Sequence, residues 1–78
     1  MGVKLTVYVR AGCHLCDEMI ALLREFQKDY NFTYESIDID RDESLKSRFN
    51  VLVPALYLGD REICHHFFDL SALEAALQ

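Results

Sequence analysis

A chain of 78 residues, 51% hydrophobic and 27% charged, has ordinary globular composition and room for one core, so residues 1–78 are read as a single domain. Its 13 acidic and 8 basic side chains leave a net charge of −5, which argues against a nucleic-acid surface, since that needs a basic patch. No apolar run nears the ~18 residues of a membrane span and Met1–Arg10 lacks a secretory leader's features, so we expect a cytoplasmic monomer whose three cysteines do not form a stapling framework.

The first predicted element is a strand over Val3–Val9, where Val3, Leu5, Val7 and Val9 alternate onto one side. A loop, Arg10-Ala11-Gly12, leads into an amphipathic helix over Cys13–Lys28. Cys16, Met19, Ile20, Leu23 and Phe26 fall on one face of that helix, and Asp17 and Glu18 sit in its first turn, where acids complement the dipole. Aromatic and β-branched residues over Phe32–Ile39 predict a second strand, although the alternation changes phase between Tyr34 and Ile37. Leu45 and Phe49, four apart, predict a short helix over Asp42–Phe49. Val53-Pro54-Ala55-Leu56-Tyr57-Leu58 reads as a strand with proline at its start, and Gly59-Asp60 turns it into Arg61-Glu62-Ile63-Cys64. Asp69 and Ser71 are both candidate caps for a last helix carrying Leu70, Leu73, Ala76 and Leu77.

The order is βαβ-α-ββα. Two strands joined by a crossover helix must be parallel, and a closing hairpin is antiparallel. The class is α/β, with a mixed four-stranded sheet flanked by helices.

Gly12-Cys13-His14-Leu15-Cys16 stands where a strand passes through a loop into a helix. At a helix N-terminus, unpaired N–H groups and the dipole favour a thiolate on Cys13. Cys16, one turn on and on the apolar stripe, is the shielded partner that resolves a mixed disulfide. Arg10 and His14 flank Cys13 and add positive charge. Other readings remain open. A lone C-x-x-C is half a zinc site, which Cys64 and one of His14, His65 or His66 could complete, although no second C-x-x-C or H-x₃₋₅-H pair is present. A purely structural cysteine pair is the blander alternative.

Leu5 through Cys16 resembles the first strand and active site of glutaredoxins, within the thioredoxin-fold superfamily. Ile37-Asp38-Ile39-Asp40-Arg41-Asp42 is similar to their second strand and its exit, and Gly59–Leu70 to their closing hairpin and last helix. The Cys-His-Leu-Cys-Asp-Glu run is most similar to small, uncharacterised bacterial glutaredoxin-like proteins. The resemblance implies that Cys13 is the nucleophile and Cys16 the resolving thiol. It further implies that Pro54 follows a cis peptide bond and shapes a groove in which the Val53 main chain pairs with an extended substrate. It places Arg10 at a basic position that can hold glutathione and Tyr8 at an aromatic position beneath the site. The chain departs from the pattern in two places. His14 and Leu15 stand where glutaredoxins usually carry proline and an aromatic residue. Cys64-His65-His66-Phe67-Phe68-Asp69 replaces the glycine pair that contacts glutathione, with Asp69 retained as a cap or ligand contact.

Cys64 reads either as a third redox thiol or as a passive strand-end cysteine. His65 and His66 read either as groups polarising a substrate at the rim or as surface side chains. Phe67-Phe68 offers an apolar patch to protein substrates, with one of the two expected to pack beneath the last helix. Asp38, Asp40 and Asp42 mimic a calcium loop, but Glu43 and Phe49 stand where that loop needs Gly and Glu. The expectation is a thiol–disulfide oxidoreductase that acts on a protein disulfide or small thiol and is recycled by a reductant the sequence does not name. No cofactor is expected; glutathione enters only as a co-substrate, weakened by the missing glycines. The alternative is a zinc-binding or thiol-based interaction or sensor module without turnover.

Overall fold

A computed structural model describes residues 2–78. Strand β1 (Val3–Val9) pairs in parallel with β2 (Phe32–Asp38), from Val3 opposite Phe32 to Val9 opposite Asp38. On its other side β1 runs antiparallel to β3 (Ala55–Leu58), which turns through Gly59 (φ 61°) into β4 (Arg61–His65). The result is one four-stranded mixed sheet in the order β2-β1-β3-β4. The expected topology is the observed one.

Each face of the sheet is covered differently. Leu5 and Val7 on β1 and Leu56 on β3 are fully buried beneath Met19 and Leu23 of α1 (His14–Phe26) and Leu73 of α3 (Leu70–Leu77). The opposite face carries Tyr8, Ala55 and Tyr57, which pack with Ile39 and with Phe49 of the short helix α2 (Glu43–Phe49). Two cores, one on each face, explain why the alternation in β2 changes phase. Phe32 and Tyr34 serve the α1/α3 core, whereas Ile37, opposite Tyr8 in the parallel register, lies on the α2 face, as does the α2-core residue Ile39 just past the strand. Burying a residue the size of Leu56 or Phe49 contributes about 1.5–3 kcal/mol.

Side-chain caps set the element boundaries. The helix read from Cys13 begins at His14, because Cys13 is its N-cap, and it ends at Phe26 instead of Lys28. Gln27 there closes the last turn by donating its backbone N–H to Leu23 O at 3.0 Å, and its side-chain amide donates to Phe32 O. Asp42 caps α2 by accepting from the N–H groups of Ser44 and Leu45. Of the two candidates for α3, Asp69 is the cap, accepting from Ala72 N–H at 3.0 Å, and Ser71 lies inside the helix. The second strand stops at Asp38, whose carboxylate accepts from Asp40 N–H and starts a 3₁₀ turn over Ile39–Arg41. The third begins at Ala55, after a proline that has no N–H to give a ladder, and the fourth extends one residue further than expected, to His65. Among the described residues no helix is long and apolar enough to cross a membrane.

Candidate active site

One end of the sheet gathers most of the chemistry. Val9 ends β1, and the antiparallel register that sets Tyr8 opposite Ala55 brings Pro54 alongside that end. Ala55 is likewise opposite His65, so the exit of β4 reaches the same edge. Open α/β sheets commonly bind ligands beyond the carboxyl ends of their strands.

From β1 the chain turns through Gly12, which holds φ at 74°, a left-handed conformation that glycine adopts without a Cβ clash. This turn places Cys13 at the N-cap of α1 with extended backbone (φ −99°, ψ 108°). Its Sγ accepts the Cys16 N–H at 3.1 Å, and its carbonyl accepts from Asp17 N–H at 3.1 Å. One of the helix's four orphan donors is therefore aimed at sulfur. Cys13 and Cys16 are joined by a disulfide across a Cα–Cα distance of 5.2 Å. Burial separates them as the helical spacing predicted: Cys16 is 1% exposed in the α1 face, Cys13 is half-buried, and His14 between them is exposed.

The other sequence-derived candidates have definite partners. The Val53–Pro54 peptide is cis, Pro54 is buried and Val53 is half-buried against the α2 core. Tyr8 lies in that same core, stacked on Phe49 at 4.2 Å between ring centroids and edge-on to Tyr57. Arg10 reaches away along the surface. Its Nε and Nη2 grip the Asp40 carboxylate at 3.0–3.2 Å, and its Nη1 donates to the Asn50 carbonyl at 3.1 Å. The guanidinium thus ties the loop before Cys13 to the 3₁₀ turn and to the segment leading into Pro54.

Cys64 points inward from β4 into the α1/α3 core, and that burial pushes its thiol pKa up. Asp69 caps α3. His65 is exposed, with Nδ1 3.1 Å from Glu62 Oε1. Among the described residues no group of three or more His, Cys, Asp or Glu is placed to hold a metal ion, so the four-ligand zinc set is not assembled.

His66 is the residue whose geometry the sequence did not reveal. It is the one non-glycine residue with positive φ among those described, at 64°. A left-handed conformation costs an imidazole-bearing residue on the order of 1–3 kcal/mol. Its backbone N–H donates to Pro54 O at 2.8 Å, and its Nε2 lies 2.6 Å from Val51 O. A carbonyl only accepts, so Nε2 carries the proton. The available signal was positional: His66 stands in the stretch that replaces the glycine pair.

A groove of about 510 Å³ runs between α1 and the exit of β4, walled by Leu15, Met19, Leu22, His66 and Phe67, with Glu18 as its charged member. Phe67 is 69% exposed there, whereas Phe68 turns in and stacks on Phe26 of α1. The expected division of the phenylalanine pair is therefore present, with α1 supplying the packing partner.

The family model described as Glutaredoxin-like domain (DUF836) matches residues 4–78. The solution structure of protein Ne2328 from Nitrosomonas europaea is 46% identical, with TM-score 0.89, over 100% of this chain and 94% of that one. The X-ray structure of target protein XcR50 from X. campestris is 36% identical, with TM-score 0.70, over 94% of this chain and 93% of that one. Thioredoxin 1 from Thermosipho africanus shares the fold at 21% identity and TM-score 0.63, over 96% of this chain and 94% of that one. No curated protein matches the chain.

Proposed function

The chain belongs to the glutaredoxin-like family of the thioredoxin fold, and on that premise we propose that it is a thiol–disulfide oxidoreductase. The observation that carries the proposal is the pairing of a half-buried Cys13 sulfur, capped by the Cys16 N–H, with a Cys16 that is 1% exposed. A charge-assisted hydrogen bond from a helix N-terminus stabilises the thiolate over the thiol, which makes Cys13 the attacking group. His14 beside it adds to that stabilisation whenever it is protonated.

In the reaction the Cys13 thiolate attacks one sulfur of a substrate disulfide. The substrate S–S bond breaks as the Cys13–substrate bond forms, and the departing sulfur leaves as a thiolate that takes a proton from water. Cys16 then loses its proton and attacks Cys13 Sγ. This forms the intramolecular disulfide and releases the second substrate sulfur as a thiol. Two electrons pass from the dithiol to the substrate, and an external dithiol or two thiols return them.

Val53 offers its main chain to an extended substrate next to the cis proline. Arg10 is already engaged by Asp40 and Asn50, so a glutathione carboxylate has to compete with Asp40 for it. A protein disulfide has no such requirement and is the substrate we favour, with the cytoplasm as the compartment that keeps the dithiol reduced.

Cys16→Ser tests the assignment. The variant loses turnover and accumulates a covalent adduct with a disulfide substrate, and peptide mass analysis places that adduct on Cys13. An adduct on Cys64, or turnover retained in the variant, overturns it. Bound zinc in the purified native protein, lost on substitution of either cysteine, supports the metal module instead.

A further inference from the structure

The segment between α2 and β3 carries the cis proline, yet it is poorly covered. Val51 is 74% exposed and Leu52 37% exposed. The Leu52 N–H donates to Phe49 O at 2.7 Å, and the two carbonyls before it are each held by a side chain from elsewhere in the chain. Arg10 donates to Asn50 O, and His66 Nε2 donates to Val51 O. His66 also donates its backbone N–H to Pro54 O, so one residue grips the segment on both sides of the cis bond. The backbone bond is open to any residue with an N–H. The bond to Val51 needs the imidazole.

We infer that His66 is a positioning residue that fastens residues 51–54, so that the Val53 main chain meets the substrate at a fixed place beside Cys13. The inference rests on the oxidoreductase reading and adds to it the residue that holds the substrate platform. Its strained φ supports the assignment. Glycine adopts φ 64° freely, so an imidazole kept there has to be offset by what the side chain gains. The gain in view is the 2.6 Å bond to Val51 O. The neutral Nε2–H tautomer and the imidazolium both donate that bond. His65 is not a substitute, since its ring is turned edge-on to His66 and its Nδ1 faces Glu62.

The test compares the parent, His66→Gly and His66→Gln, each in the Cys16→Ser background. His66→Gly relieves the backbone and keeps the N–H to Pro54 O, so loss of folding does not confound it. Two probes are used on Cys13: a synthetic peptide disulfide, which needs the Val53 main chain, and iodoacetamide, which does not. His66→Gly is expected to slow mixed-disulfide formation with the peptide about ten- to a hundredfold. Its iodoacetamide rate should stay within about twofold of the parent on the same geometric argument. His66→Gln, with an amide nitrogen able to reach Val51 O, should recover most of the peptide rate. Amide hydrogen exchange at Leu52, whose N–H donates to Phe49 O, should quicken in the glycine variant and revert in the glutamine variant.

An unchanged peptide rate in His66→Gly overturns the inference, as does an equal fall with both probes, which would mean that His66 acts on the thiolate. If the parent itself forms no mixed disulfide, the oxidoreductase reading fails. Hydrogen exchange judges the clamp separately: unchanged protection at Leu52 in the glycine variant overturns it.

Discussion

Asp42 shows how a single side chain can carry a pH dependence. Its carboxylate accepts from the Ser44 hydroxyl at 2.7 Å and from the Ser44 and Leu45 N–H groups, and these bonds, led by the hydroxyl, hold its pKa below the usual carboxylate value. A carboxyl whose pKa is depressed on folding stabilises the native state above the unfolded value of ~3.9 and loses that contribution as pH falls through the folded value. Asp42→Asn keeps a capping oxygen but removes the charge. Urea unfolding of the two proteins should therefore show the parent more stable at neutral pH, with the gap closing on acidification below about pH 4. A gap that stays constant across that range would assign the effect to packing instead.

Individual residues also mark how far the sequence could be read. The placement of Cys13 and the burial of Cys16 followed from local spacing alone, since an N-cap and the apolar stripe one turn later are features of a single helix. Arg10 and His66 did not. Their partners, Asp40, Asn50 and Val51, lie between 15 and 40 positions away, and only closure of the sheet brings them together. The acids at 38, 40 and 42 open like a calcium loop, which Glu43 and Phe49 already rule out in the sequence. In the fold they are a 3₁₀ cap, an arginine partner and an α2 cap.

Among the elements, β1 and α1 were plain because each has one clean period. Boundaries were less so, because caps set them: Cys13, Asp42 and Asp69 each stand one residue outside the helix they start. Helix α2 is the element most dependent on context. Seven residues are too few to hold a helix alone, and Phe49, 1% exposed, fastens it by stacking on Tyr8 and meeting Tyr57 edge-on, with the Arg48 guanidinium 4.7 Å above its ring. Phe49→Ala should destabilise the protein by about 3–5 kcal/mol in urea unfolding. Because α2 leads directly into the 50–54 segment, the same change should quicken amide exchange at Leu52. A loss below about 1 kcal/mol would mean that the α2 core collapses onto the gap and does not anchor the helix.

The whole molecule is a small sheet with a separate core on each face and its chemistry at one end. The carboxyl end of β1 launches Cys13, the start of β3 presents Pro54, and the exit of β4 returns His66 to that segment. Topology, more than any one motif, brings Cys13, Cys16 and the cis Val53–Pro54 segment to one edge. The third cysteine lies on the same sheet but inside the α1/α3 core, where burial raises its pKa. It provides an internal standard for the other two.

That contrast defines the decisive measurement, the alkylation rate of each cysteine against pH in the reduced, metal-free protein, resolved by peptide mass. Cys13 alone should react fast, with an apparent pKa clearly below the free-thiol value of ~8.5. Cys16 and Cys64, both buried, should stay slow until the fold opens. A Cys13 that titrates as an ordinary thiol, or reacts no faster than Cys64, would contradict the assignment of the nucleophile and with it the proposed exchange reaction.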